Sequence, residues 1–211
     1  MQGFVVTCVV TSVPEWAYES DPATDALYRA RGLEAVRPLA PPALAYLDDF
    51  GKFAVELGKH YKELVHRWEV WNKPDGAGML TLVRDASGNP LDLRPGGDVI
   101  LYTRLLTTFS SNIRRADPSA TVAIGGLTVP NTQFLEGIYV NGGKGSFSAV
   151  ALHPCRGNQG VDFAWVDACR NLLVSHGDKS NTLWLSEWGW KVYPTNPEGV
   201  TEGEQARFVR M

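Results

Sequence analysis

The chain has 211 residues, enough for one domain with a substantial core and short of two comfortable ones. Its 20 Lys and Arg against 23 Asp and Glu give a net charge of −3, and without a basic cluster this argues against a nucleic-acid partner. The apolar residues are dispersed, with no run near the roughly 20 residues that span a bilayer.

The first stretch, MQGFVVTCVV, has no cationic region and is too strand-like for a signal peptide. A cytoplasmic site and a secreted chain without its leader both fit. Residues 4–10, FVVTCVV, read as a strand buried on both faces. A long irregular segment from Thr11 to Pro42 follows, with Trp16 near its start and a short helix expected around Ala23–Arg31. A loop of that length is usually functional. The clearest helix covers 43–65, where Leu47, Phe50, Ala54, Leu57, Tyr61 and Leu64 share a face.

HRWEVWNKP (66–74) reads as a buried strand ending in polar residues, and Asp75–Gly97 as a Gly/Pro/Asp-rich loop. Asp98 is placed to cap a helix whose apolar face is Val99, Tyr102, Leu106, Phe109 and Ile113, stopped by Asp117-Pro118. The pattern repeats: strand 121–126, a helix capped by Asn131, strand 147–154, helix 161–176 closing on Gly177, and LWLSEWGW within strand 182–190. Thr201 and Glu204 spell a capping box, and the chain reaches Met211 about two turns into that helix.

Alternating strands and helices imply parallel β/α architecture. Five strands are counted, and a closed (β/α)8 TIM barrel needs about 250 residues. The chain therefore reads as one α/β domain over residues 1–211, about five of eight barrel units. A complete doubly wound five-stranded sheet is the alternative. Gly125-Gly126 is not G-x-G-x-x-G, which leaves a nucleotide site without support. Cys8, Cys155 and Cys169 lie far apart, odd in number, and read as small buried apolar residues rather than a disulfide framework. No histidine pair has metal-ligand spacing. Neither a metal nor any other cofactor is expected.

Function in parallel α/β folds collects at the C-terminal strand ends. Those ends carry Glu15 and Trp16, Asn72 and Lys73, Gly125 and Gly126, His153, and Glu187 with Trp188 and Trp190. Indole rings cover the C–H faces of sugars while polar groups read hydroxyls, so the set suits carbohydrate. WEVWNKP, GGL (125–127), ALHPC and LWLSEWGW follow one another in a way that resembles clan A glycoside hydrolases, nearest to family 39 and family 5 xylosidase- and cellulase-like barrels.

The resemblance implies a retaining glycosidase acting on β-linked plant-type oligo- or polysaccharide, with carboxyls about 5 Å apart. It makes Glu187 the nucleophile and gives Asn72 the sugar 2-hydroxyl. It places His153, Trp188 or Trp190, and Trp16 around the adjoining subsite; Trp71 could line the site or pack. Two positions depart from the pattern. Lys73 stands where the family has its acid/base glutamate, and an ordinary ammonium is a poor acid toward a leaving group and no base at neutral pH. Cys155 stands where many relatives carry a tyrosine on the nucleophile. Asp75, otherwise a turn former, is the nearest candidate for a displaced acid; Glu69 lies deeper and reads as part of a buried polar layer. Two readings stay open: a glycosidase impaired at the acid/base step, and a pseudoenzyme that binds glycan without cleaving it. Open barrel edges imply self-association.

Overall fold

The computed structural model describes residues 3–18, 20–155, 157–193 and 195–210; the sequence expectation for Met211 falls outside them. In chain order the elements are β1 (Thr7–Val10), α1 (Pro22–Ala30), α2 (Leu47–Tyr61), β2 (Arg67–Asn72), β3 (Leu80–Arg84), β4 (Pro90–Pro95), α3 (Val99–Ala116), β5 (Thr121–Leu127), α4 (Gln133–Val140), β6 (Ala149–Leu152), α5 (Phe163–Ser175), β7 (Thr182–Leu185) and α6 (Glu202–Phe208). Five strands form one parallel sheet in the order β1-β2-β5-β6-β7. Each new parallel strand joins the same edge. A doubly wound sheet reverses its strand order at a switch point, and no reversal occurs here. The arrangement is an arc of a β/α barrel, with the alternative set aside.

The sheet has two unlike faces, because alternate side chains point opposite ways. Trp68 and Val70 on β2, Val122 and Ile124 on β5, and Val150 and Leu152 on β6 belong to the main core. They meet Tyr102, Leu105, Leu106, Phe109 and Ile113 of α3, Leu135 and Ile138 of α4, and Trp165, Cys169 and Leu173 of α5 in that core. Full burial of each such side chain is worth about 1.5–3 kcal/mol. The opposite face carries Val9, Glu69, Ala123 and Ala149 in register across four strands. Small residues there leave room for one buried carboxylate. The edge strands β1 and β7 are more exposed than the three central ones.

Local signals decide the helix ends. Asp98 Oδ1 accepts from the backbone N–H groups of Ile100 and Leu101 at 2.8 and 3.0 Å, as expected of an N-cap. Thr201 and Glu204 form the reciprocal capping box. Two expectations are corrected. The stretch Asp75–Gly97 contains an antiparallel hairpin, β3–β4, rather than loop throughout. Leu80 and Leu93 of that hairpin bury against Tyr28 of α1, so a long-range contact stabilises strands that are short and polar in sequence. The last parallel strand stops at Leu185 instead of running to Trp190, which leaves Glu187 on an irregular segment. No helix among the described residues is long and apolar enough to cross a membrane.

Candidate active site

The end of β2 is where the backbone departs from regularity. Trp71 and Lys73 both have positive φ, 72° and 52°, a region costly for side chains larger than glycine. Two side chains hold the distortion through three hydrogen bonds. The Trp71 indole N–H donates to Gly78 O at 2.8 Å. The Tyr102 hydroxyl, reaching in from α3, donates to Val70 O at 2.8 Å and accepts from Gly125 N–H at 2.9 Å. The phenol thus bridges β2 and β5 beside the bend. Tyr102 is fully buried, and burial pushes its ionisation well above the ordinary tyrosine range.

The bend sends Lys73 across the strand ends to Glu187. Lys73 Nζ lies 3.1 Å from Glu187 Oε2, with 38% of the lysine and 53% of the glutamate side chain exposed. His153 Nδ1 lies 3.3 Å from the same oxygen, yet is not aligned for a hydrogen bond and has no other partner. Lys73, His153 and Glu187 line an open cleft of about 510 Å3 with Thr128, Cys155, Ser186, Trp188 and Gly189.

His153 is 7% exposed, and burial pushes its imidazole below the ordinary value; the Lys73 ammonium adds to this while the Glu187 carboxylate opposes it. The ring is therefore neutral at neutral pH, and the charged pair in the cleft is Lys73 with Glu187. Gly126 makes room for the imidazole: a Cβ there would sit 2.0 Å from His153 Nε2.

Behind the cleft lies Glu69, 1% exposed. Its Oε1 accepts from Gly126 N–H at 2.7 Å and from the Ser186 hydroxyl at 3.3 Å, and its Oε2 has no partner. Burial raises its pKa; the two hydrogen bonds oppose the rise and the Glu187 charge adds to it. A folded-state pKa above the unfolded value means that the native state holds the proton longer. Stability is therefore highest below the unfolded value, falls as pH rises through the folded one, and stays lowered above it. Glu69→Gln removes the buried charge. It is expected to raise the melting temperature at pH 7–8, with the gain vanishing near pH 4; thermal denaturation across that range checks this, and an equal gain at every pH would contradict it.

Several residues singled out from sequence lie elsewhere. Trp71 is completely buried and serves the β2 bend rather than a sugar. Trp190 packs with Val161, Val200 and Phe208, and its N–H donates to Gln159 O. Trp16, 62% exposed, stands edge-on to Tyr46 in a separate apolar cavity between β1 and α2. Asn72 pairs through its backbone with Gly126 and is not among the cleft-lining residues. Asp75 is not a displaced acid: its carboxylate accepts from the N–H groups of Thr128 and Val129 and from the Thr128 hydroxyl. Cys155 is half-buried and lines the cleft, so only Cys169 is the fully buried thiol expected, its pKa pushed up to about 11 by burial. Ser186 and Thr128 were missed. Ser186 was within reach of strand alternation, being two residues beyond Trp184 on the face that carries Glu69. No group of three or more potential metal-ligating side chains occurs among the described residues.

Several solved glycosidase structures are similar to this chain in fold. A glucosidase from Croceicoccus marinus matches over 81% of this chain and 35% of its own, at TM-score 0.59 and 17% identity. A family 39 glycoside hydrolase from Bacteroides cellulosilyticus WH2 matches over 92% and 44%, at 0.55 and 16%. The fold shared with them is part of a TIM-type (β/α) barrel. A GH39 β-xylosidase from Caulobacter crescentus, 21% identical at TM-score 0.52, matches over 75% of this chain and 33% of its own. The chain thus spans about a third to under half the length of these structures. No protein-family model and no curated protein matches the sequence.

Proposed function

We propose that the cleft binds β-linked oligosaccharide of the xylan or cellulose type and that hydrolysis is arrested at the acid/base step. The observation that carries this reading is the 3.1 Å contact between Lys73 and Glu187. In a retaining mechanism these positions belong to the acid/base and the nucleophile. Here they hold a cation and an anion that neutralise each other. A half-exposed ion pair of this kind is worth about 0–1 kcal/mol, so a sugar can open it at little cost. The ammonium then offers hydrogen bonds to ring hydroxyls but is a poor proton donor for a departing alkoxide. Trp188, half-exposed at the cleft wall, supplies the ring on which a pyranose can lie, and His153 contributes a neutral polar edge.

Glu187 in this reading keeps its place as nucleophile. It can attack an anomeric carbon whose leaving group departs without protonation, and ordinary glycosides are held uncleaved.

Calorimetric titration with xylo- and cello-oligosaccharides tests the reading. The expected result is binding with no new reducing ends after long incubation, and about a tenfold weaker affinity in Trp188→Ala, corresponding to ~1.4 kcal/mol of lost stacking. Ready hydrolysis of the natural oligosaccharides would favour a competent enzyme. Absence of binding to all of them would remove the carbohydrate reading.

A further inference from the structure

The Ser186 hydroxyl stands between two buried groups. It donates to Glu69 Oε1 at 3.3 Å, and it lies 3.2 Å from His153 Nε2. Glu69 is 1% exposed and His153 7%. A hydroxyl has one proton to give, and a neutral imidazole carries its proton on one nitrogen only. With the serine proton committed to Glu69, the contact with His153 needs a hydrogen from the ring. Nε2 is then the protonated nitrogen, and Nδ1 keeps the lone pair. The Gly126 N–H, 2.7 Å from Glu69 Oε1, holds that oxygen as an acceptor. Oε2 has no partner, so it is the oxygen that takes the proton when the carboxyl is neutral. Ser186 therefore finds an acceptor in either state of Glu69.

Glu187 pulls the other way. Its Oε2 lies 3.3 Å from His153 Nδ1, and a carboxylate there favours a proton on Nδ1. The inner contacts outweigh it for two reasons. The contact with Glu187 is not aligned as a hydrogen bond, and Nδ1 has no other partner. Glu187 is also half-exposed, with Lys73 at 3.1 Å offsetting its charge, which weakens its pull on the ring. The contacts through Ser186 meet the hydrogen-bond criteria and serve buried groups, where an acceptor without its donor is costly.

We propose that Glu69 and Ser186 are positioning residues that hold His153 in its Nε2–H form, so that Nδ1 is presented at the cleft as a bare acceptor and selects a ligand hydroxyl that donates to it. The ring lines the cleft, and Nδ1 is a buried atom without a hydrogen-bond partner. Beside it stands Glu187 Oε2, also an acceptor. Two acceptors this close leave a place that only a donor satisfies. A sugar hydroxyl has the hydrogen to give, and an ether oxygen does not. The selecting role rests on the carbohydrate reading; the tautomer does not.

Nitrogen-15 spectra of the imidazoles at pH 7 distinguish the two tautomers, and a His153→Asn variant assigns the signal among the four histidines. In the free wild type the His153 hydrogen is expected on Nε2. Ser186→Ala should move it to Nδ1, the form that Glu187 favours, with near-UV circular dichroism unchanged. Glu69→Gln should leave it on Nε2, because the Gly126 N–H holds the amide oxygen where Oε1 was. Xylobiose or cellobiose should then shift the Nδ1 resonance of the wild type. Ser186→Ala should bind the same sugar about three- to tenfold more weakly, the worth of one neutral hydrogen bond. A hydrogen on Nδ1 in the free wild type, or a folded Ser186→Ala variant that keeps it on Nε2, would overturn the proposal. Expected tautomers with no sugar bound would uphold the positioning and count against the carbohydrate reading instead.

Discussion

Replacing Lys73 by glutamate raises kcat/KM on an aryl β-xyloside with a poor leaving group by about 100-fold or more. The magnitude is the lower end of what a positioned general acid contributes, roughly 10²–10⁴. The substitution acts in two ways. It restores a group that can protonate the leaving oxygen, and it removes the ammonium 3.1 Å from Glu187, freeing the carboxylate to attack. It also sets two carboxyls against each other, which raises the pKa of one of them, the condition an acid needs at neutral pH. Initial rates over a series of leaving groups separate the effects: the gain should be large for alkyl or unsubstituted phenyl glycosides and small for dinitrophenyl ones. A folded variant with no gain on any of them would show that position 73 is not the acid/base place.

Tyr102→Phe is the substitution expected to cost most stability for its size. It deletes one oxygen and leaves both Val70 O and Gly125 N–H buried without the partner they have now. An unsatisfied buried polar group costs about 1–3 kcal/mol. The pair together should cost about 3 kcal/mol, and for a chain of this size the melting temperature falls by roughly 6–12 °C. The loss has a local consequence too. The phenol ties β2 to β5 where Trp71 and Lys73 adopt positive φ. Without it the bend has less to hold it, and Lys73 loses its fixed approach to Glu187. Chemical denaturation gives the energy; a change below about 0.5 kcal/mol would mean that water replaces the hydroxyl.

What could be read in the sequence follows from which interactions are local. The apolar spacing of Tyr102, Leu106, Phe109 and Ile113 and the Asp98 cap give α3 without reference to anything distant. The same holds for the buried runs of β2, β5 and β6, and their alternation with helices gives a parallel sheet. The hairpin was hidden because Leu80–Arg84 and Pro90–Pro95 are short and flanked by glycine and proline, and their burial depends on Tyr28 some fifty residues earlier. At the site, strand ends were a sound guide: Lys73, His153 and Glu187 do converge. The tryptophans were not separable, because an indole in a cleft and an indole in a core have the same local signature. Trp71 and Trp190 are decided by carbonyls at Gly78 and Gln159 that accept their N–H groups, and no pattern around either tryptophan announces those partners. Ser186 was overlooked because a lone serine before a glutamate carries no signal until Glu69 and His153 are seen on either side of it.

Glu187 is proposed to occupy the nucleophile's place in a cleft that lacks its acid. Incubation of the wild-type protein with a 2-deoxy-2-fluoro-β-xyloside or glucoside bearing a dinitrophenolate leaving group tests this most directly, because that leaving group needs no protonation and the fluorine slows release of the glycosyl-enzyme. Peptide mass mapping should then find one sugar adduct, on Glu187, and none in Glu187→Gln. An unmodified protein under conditions that label an active retaining glycosidase, or an adduct on any other residue, would contradict it.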